Sequence, residues 1–460
     1  MELLRRIWFM CFAIPFLSTI PFSQATGNRV KSAVFRSPTV ELEPGSVSLK
    51  HFYNIDFPRG HIAIKGVQVQ LVDENNKPIP SSDAYLHHWI IKRYYQPINT
   101  KTQINSKLPI YIEKRNSGLC EEHVGQYFGL GSESQKTISD IPDPYGIEIG
   151  NPADIPAGYV DGWEMAPHII DTRGVEDRLG CTECVCDLYN STKPGYVGGF
   201  FCCGDKTQCR LKSDFEGREK MKYYMRYIVK WVDFDDSVLP VRIYILDVTD
   251  SSGEESIHNC QLEYEVEPCD VTGKIDGVCK HVKRARFRMP RGGGIVYAVG
   301  HLHTGGITST LYRQDGEVIC SSKPSYEEGK EPGDEESYIS SMSVCYPATD
   351  SVKILDGEII ELETNYSNTK RHTGVMGLFY LLLADNHNHN QHQLSSFNSS
   401  SLLHVASSSL YKDLVLEKAA TLSVTVWGVA LFGLAIFSVV IATIINKRKI
   451  EERKGGYESI

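Results

Sequence analysis

The chain has 460 residues and a net charge of −9, from 48 Lys and Arg against 57 Asp and Glu. That balance is mild for the length and lacks the basic surface on which nucleic-acid binding depends. The thirteen cysteines are many for a cytosolic protein, where thiols stay reduced.

The N-terminus has the layout of a secretory signal. Arg5 and Arg6 precede the apolar run Ile7 to Ile20, which is too short to span a bilayer. Ser23 and Ala25 place small residues at −3 and −1, so residues 1–25 are expected to be a signal peptide cleaved after Ala25. Loss of Cys11 with it leaves an even number of cysteines, which reads as disulfides.

From there the chain alternates apolar and polar residues. Ile62, Ile64, Val67, Val69 and Leu71 nearly follow period two, as do Val241, Ile243 and Ile245, then Leu262, Tyr264 and Val266, then Ala285, Phe287 and Met289. Gly and Pro clusters separate these runs, and no long amphipathic helix competes with them. The pattern predicts an all-β protein of sandwich type. An N-terminal lobe over 26–250 is expected to carry a long irregular insertion from about 115 to 215, rich in Gly, Pro and Cys. Within it Cys181, Cys184, Cys186, Cys202, Cys203 and Cys209 crowd together as a thiolate metal cluster or, in an oxidising compartment, as disulfides. A C-terminal lobe follows over 251–383, then a polar His- and Ser-rich stalk over 384–421.

Leu422 to Ile445 is an uncharged apolar run about 36 Å long as a helix, enough to cross a hydrocarbon core of about 30 Å. Lys447, Arg448 and Lys449 follow and mark the cytosolic side. A GPI signal would end in the apolar run, so a retained transmembrane helix is expected, with a cytoplasmic tail over 446–460. The tail closes on Tyr457-Glu-Ser-Ile460, a Tyr-x-x-apolar pattern of the kind used in sorting. The chain thus reads as a single-pass type I membrane protein of the secretory pathway, at the plasma membrane or an endomembrane, with its globular part extracellular or lumenal. Asn190, Asn365 and Asn398 begin Asn-x-Ser/Thr sequons and are candidate glycan sites.

Three histidine constellations carry the candidate chemistry. His301-Leu-His303 follows the strand pattern Ile295-Val-Tyr-Ala-Val299, and residues i and i+2 of a strand share a face. His87 and His88 are adjacent, so on an ideal strand they oppose each other and share a ligand only through a bulge or strand end. His372-Thr-Gly-Val-Met376 precedes an apolar strand, and Met is a soft ligand that suits copper. Each has a plainer reading, as polar surface, a hydrogen-bonded pair or core packing.

Together these pieces resemble the copper type II, ascorbate-dependent monooxygenases, which include peptidylglycine α-hydroxylating and dopamine β-monooxygenases. The resemblance rests on Gly300-His-Leu-His-Thr-Gly-Gly306, on Leu311-Tyr-Arg-Gln-Asp-Gly316, on His87-His88 and on Met376. It implies two tandem jelly-roll-like sandwiches, an oxygen-side copper on His301, His303 and Met376, and a second copper on His87 and His88. Trp231 stands where that family carries its third histidine, which leaves His123 or His168 as a possible third ligand. If the chain is an enzyme, the resemblance implies a copper-dependent monooxygenase with ascorbate as reductant; no catalytic residue is assigned. The alternatives are a non-catalytic apoplastic binding protein or a structural glycoprotein without metal, and the ligand or substrate is not specified. Over nearly all of the extracytoplasmic part the chain is similar to the plant stress up-regulated nodulin-nineteen proteins, through Phe35-Arg-Ser-Pro38, Leu86-His-His-Trp89, Phe128-Gly-Leu-Gly-Ser-Glu133 and Gly300-His-Leu-His-Thr-Gly305. That resemblance implies a stress- or nodulation-associated plant membrane glycoprotein.

Overall fold

The structure is a computed structural model and describes residues 30–99, 111–184, 207–252, 258–269, 279–326 and 337–385. The signal peptide, most of the stalk, the expected membrane helix, the tail, and the sequons at Asn190 and Asn398 lie outside the described residues. Among the described residues no helix is long and apolar enough to cross a membrane.

The described chain is nearly all β. A ten-stranded sheet has Lys31–Arg36 at one edge and continues through Met221–Asp233, Ile62–Val72, Tyr145–Ile149, Leu239–Asp247, His372–Ala384 and Gly293–Leu302 to Lys353–Ile354. A six-stranded sheet built on Tyr159–Asp171 and Ala84–Pro97 covers part of one face, and a four-stranded sheet built on Ile359–Ser367 covers part of the other. Helix is confined to a short α-helix, Arg178–Thr182, and a 3-10 turn, Ser132–Gln135. Asp177 caps the α-helix by accepting from the Gly180 N–H at 2.9 Å.

The strand His372–Ala384 shows why the layers form. All thirteen of its residues are buried. Leu378, Tyr380 and Leu382 pack into the larger core, toward the six-stranded sheet, while Phe379, Leu381 and Leu383 pack into a second core toward the four-stranded sheet. Strict alternation of side chains lets one strand serve both cores, and burial on both faces explains its unbroken apolar sequence.

The expected border between residues 250 and 251 is crossed by this ten-stranded sheet, since Val241–Asp247 pairs with Leu378–Ala384. The disulfide Cys120–Cys260 also joins the two sides of that border covalently. Cys181–Cys209, Cys269–Cys279 and Cys320–Cys345 are also bonded, which fits an oxidising extracytoplasmic compartment. Cys120–Cys260 closes a loop of 140 residues. Replacing both cysteines by serine is expected to lower the unfolding free energy by about 3–5 kcal/mol, readable as a lower midpoint in urea.

The stretch 115–215, expected to be irregular, contains regular strands. Phe128–Leu130, Tyr145–Ile149 and the thirteen-residue Tyr159–Asp171 all lie in it. Gly162 and Pro167 obscure the last of these, because both are poor strand formers. Pro167 sits next to a bulge, where irregular pairing tolerates a residue without an N–H.

Candidate metal centre

The centre forms where the six-stranded sheet faces the ten-stranded one. In the six-stranded sheet, His88 stands opposite His168, and the next pair is Leu86 with Ile169. His87 is therefore the extra residue of a β-bulge. An ideal strand would aim His87 and His88 in opposite directions; the bulge removes that alternation and brings their rings to 4.4 Å between centroids. Direct pairing puts His168 on the same face as His88, and its ring lies 4.7 Å from that of His87.

The opposite wall comes from Gly293–Leu302 and the residue after it. Tyr297 and Val299 face the larger core, and the two-residue period carries His301 and His303 onto that same face. Their rings are 5.1 Å apart. His303 lies 4.9 Å from His87 and 5.0 Å from His88, and His301 lies 5.3 Å from His88. One donor atom each from His87, His88 and His303 falls within 4.8 Å of the others. Imidazole–metal bonds are about 2.0–2.1 Å long, so donors that share an ion lie within about 4.2 Å of one another, a little closer than this limit.

The protein holds one nitrogen of several rings and leaves the other without a partner. Glu133 Oε1 sits 2.6 Å from His301 Nδ1 and also accepts from the Gly131 N–H at 3.1 Å. A carboxylate can only accept, so Nδ1 is the donor to Glu133 and Nε2 is the nitrogen left over. His87 Nε2 lies 3.6 Å from the Sγ of Cys184, which is disulfide-bonded, and the Thr182 backbone is a further partner of His87. The Gly374 backbone is a partner of His303. The Tyr366 hydroxyl accepts from the His303 N–H at 2.8 Å and donates to the Met376 carbonyl at 2.6 Å, clamping the two strands that flank the centre. This is the arrangement expected around metal-binding imidazoles, in which an outer partner fixes tautomer and aim.

Four nitrogens remain buried without a hydrogen-bond partner: His87 Nδ1, His88 Nε2, His301 Nε2 and His303 Nε2. Each such atom costs about 1–3 kcal/mol. The sum, roughly 4–12 kcal/mol, rivals the net stability of a typical protein. Burial holds the protonation of His87, His88 and His303 well below the ordinary range, and the neighbouring imidazoles push it further down. The rings are therefore neutral at pH 7, the form that binds metal.

Five of the expected ligands thus converge on one centre. His168 joins His87 and His88. His123 is exposed on a surface turn. Trp231 is half-buried in the ten-stranded sheet, paired with Lys31 and Ile64. Met376 is one step past the Leu302–Gly377 pair, at the register position beside His303, and it belongs to the larger core. Glu133 and Tyr366 are not marked as site residues by the sequence, and Cys184 enters it only as one of the crowded cysteines. The only trace of Glu133 was its place at the end of the Phe128-Gly-Leu-Gly-Ser-Glu133 run. A second His–carboxylate couple, His372 Nδ1 with Glu183 Oε1 at 2.6 Å, uses the residue before Cys184.

Asn365, one of the candidate glycan sites, lies in the strand Ile359–Ser367 and is 2% exposed. Its Nδ2 donates to Thr308 Oγ1 and to Glu363 Oε1, both at 2.8 Å. A glycan would take one of those protons, so peptide mapping is expected to find Asn365 unmodified.

Comparison with known proteins adds a family. Among solved structures, the infectious bursal disease virus VP2 subviral particle matches at 11% identity over 78% of this chain and 72% of that one, with a TM-score of 0.18. The mavirus major capsid protein matches at 10% identity over 78% of this chain and 84% of that one, with a TM-score of 0.20. Scores this low carry no argument about function. No curated protein matches the chain. The family model described as stress up-regulated Nod 19 matches residues 28–386, which include every histidine of the centre. The chain belongs to the stress up-regulated Nod 19 family.

Proposed function

We propose that this protein binds a transition-metal ion, copper first among those to test, through His87, His88 and His303, with His168 and His301 completing the set. One observation carries the reading: four ring nitrogens are buried and unpartnered, and donor atoms of His87, His88 and His303 lie within 4.8 Å of one another. Imidazole donors suit copper, zinc, iron or nickel, and a thioether at the Met376 position favours the softer Cu(I). The metal would satisfy the orphaned lone pairs and so offset the cost of burying them.

The protein would act as a membrane-anchored, extracytoplasmic glycoprotein in a stress response. The family and the disulfides support the broad part of that statement. The anchor and the glycans rest on the sequence. The monooxygenase reading requires His87 with His88 and His301 with His303 to serve separate coppers. Ring separations of 4.9–5.3 Å between those pairs favour one shared centre and therefore metal binding without turnover.

The test is elemental analysis of purified protein, compared with His301→Ala combined with His303→Ala. The reading expects about one ion per chain in wild type and a large loss in the double variant. Metal-free wild type after copper and zinc reconstitution, or equal content in both proteins, rejects it. Glu133→Gln, which keeps an acceptor but removes its charge, is expected to weaken affinity about 10–100-fold, as measured by competition with a chelator.

A further inference from the structure

Beside the centre, in the larger core, lies a partly open chamber of about 60 Å³. Trp89, the residue after His88, lines it, as does Val299, two residues before His301 on the same sheet face. Leu130 is also in its wall, and the next residue, Gly131, separates chamber from centre. A side chain there would lie 2.7 Å from the His87 carbonyl and 3.1 Å from His301 Cε1, so only glycine keeps the two spaces in close contact.

The polar groups in the wall are all engaged by the protein. Trp89 Nε1 donates to Ser134 Oγ at 2.7 Å, and Ser134 in turn donates to the Gly131 carbonyl. Thr137 donates to the Glu133 carbonyl and Ser139 to the Val67 carbonyl, both at 2.7 Å. The Tyr297 and Tyr380 hydroxyls donate to the Ile138 and Tyr127 carbonyls at 3.1 and 2.6 Å. What remains facing inward is mostly apolar: Phe128, Val299, Leu382 and the faces of the rings. A water needs about two to four polar partners to settle in such a space, and every wall hydroxyl already spends its proton on the protein, which leaves only acceptor sites. The rim reaches half-exposed Ser139, beside exposed Ile138, which gives a route from solvent.

We propose that this chamber is a binding site for a small apolar molecule, held next to the histidine centre. Its size sets the class. A dry apolar cavity of about 150 Å³ accepts benzene or xenon; this one, at about 60 Å³, takes molecules smaller than benzene that make no hydrogen bonds, such as a diatomic gas or a short unsaturated hydrocarbon. Binding itself does not depend on the metal. Only the ligand's role beside the centre rests on the metal reading.

Xenon is the probe. Crystals of metal-free protein pressurised with xenon are expected to show a strong peak between Trp89, Val299 and Leu382. Two variants that fill the space, Val299→Ile and Val67→Leu, are expected to reduce its occupancy several-fold while metal content stays at the wild-type value. No peak in wild type, or undiminished peaks in both variants, overturns the proposal. A protein that takes up xenon here but no metal would sink the metal reading and leave the chamber standing.

Discussion

Metal-free protein is expected to lose stability steeply as the pH falls below about 6.5. His87, His88 and His303 are buried among one another, and their folded-state protonation is pushed well below the ordinary value of 6.5. In the unfolded chain the same rings take up protons near pH 6.5. Between that pH and the depressed folded values, the unfolded state therefore binds more protons, and stability drops as pH drops. Three such groups give a limiting slope of about 4 kcal/mol per pH unit. Above about pH 7 their contribution is fully present and the dependence on these rings flattens. Denaturant melts at pH 7.5, 6.5 and 5.5 measure the slope. A flat profile between 7 and 5.5 would mean that the rings are solvated or already charged in the folded protein.

Loading with metal is expected to raise stability by a similar amount. An ion that binds only the folded state adds about 4 kcal/mol when present at 1,000 times its dissociation constant, a rise in melting temperature on the order of 10 °C. Because each ligand must be neutral to bind, protons and metal compete, and the gain shrinks as the pH falls toward 5. His301→Ala with His303→Ala should abolish the metal-dependent rise. That variant also removes two of the four orphaned nitrogens, so its metal-free form is expected to fold and to show a shallower pH slope. Calorimetry with and without copper, at two pH values, reads both effects. A melting temperature indifferent to metal in wild type would leave the burial of five imidazoles without its compensating partner.

Much of this was legible in the chain, for identifiable reasons. Half-buried strands such as Lys280–Arg288 advertise themselves through period-two alternation, whereas Ile62–Val72 alternates only nearly because most of its residues are buried. The continuous apolar runs of Gly293–Leu302 and His372–Ala384 show that a strand is buried on both faces but not which sheets cover it. That is why the shared ten-stranded sheet could not be read from them. His301 and His303 were recognisable as a pair because the strand period alone sets their common face. His87 and His88 needed a bulge, and a bulge is fixed by the partner strand, here at the step from His168 to Ile169. His168 was hidden in a stretch whose Gly and Pro content masked a long strand. Glu133 reaches His301 across 168 residues of sequence, a contact only the tertiary fold creates.

The most direct test of the centre is X-ray absorption spectroscopy on copper-loaded protein. The account predicts a first shell dominated by nitrogen at about 2.0 Å, with the multiple-scattering signature of several imidazoles, reduced in His303→Ala. A shell of water or carboxylate oxygens without imidazole scattering would contradict it.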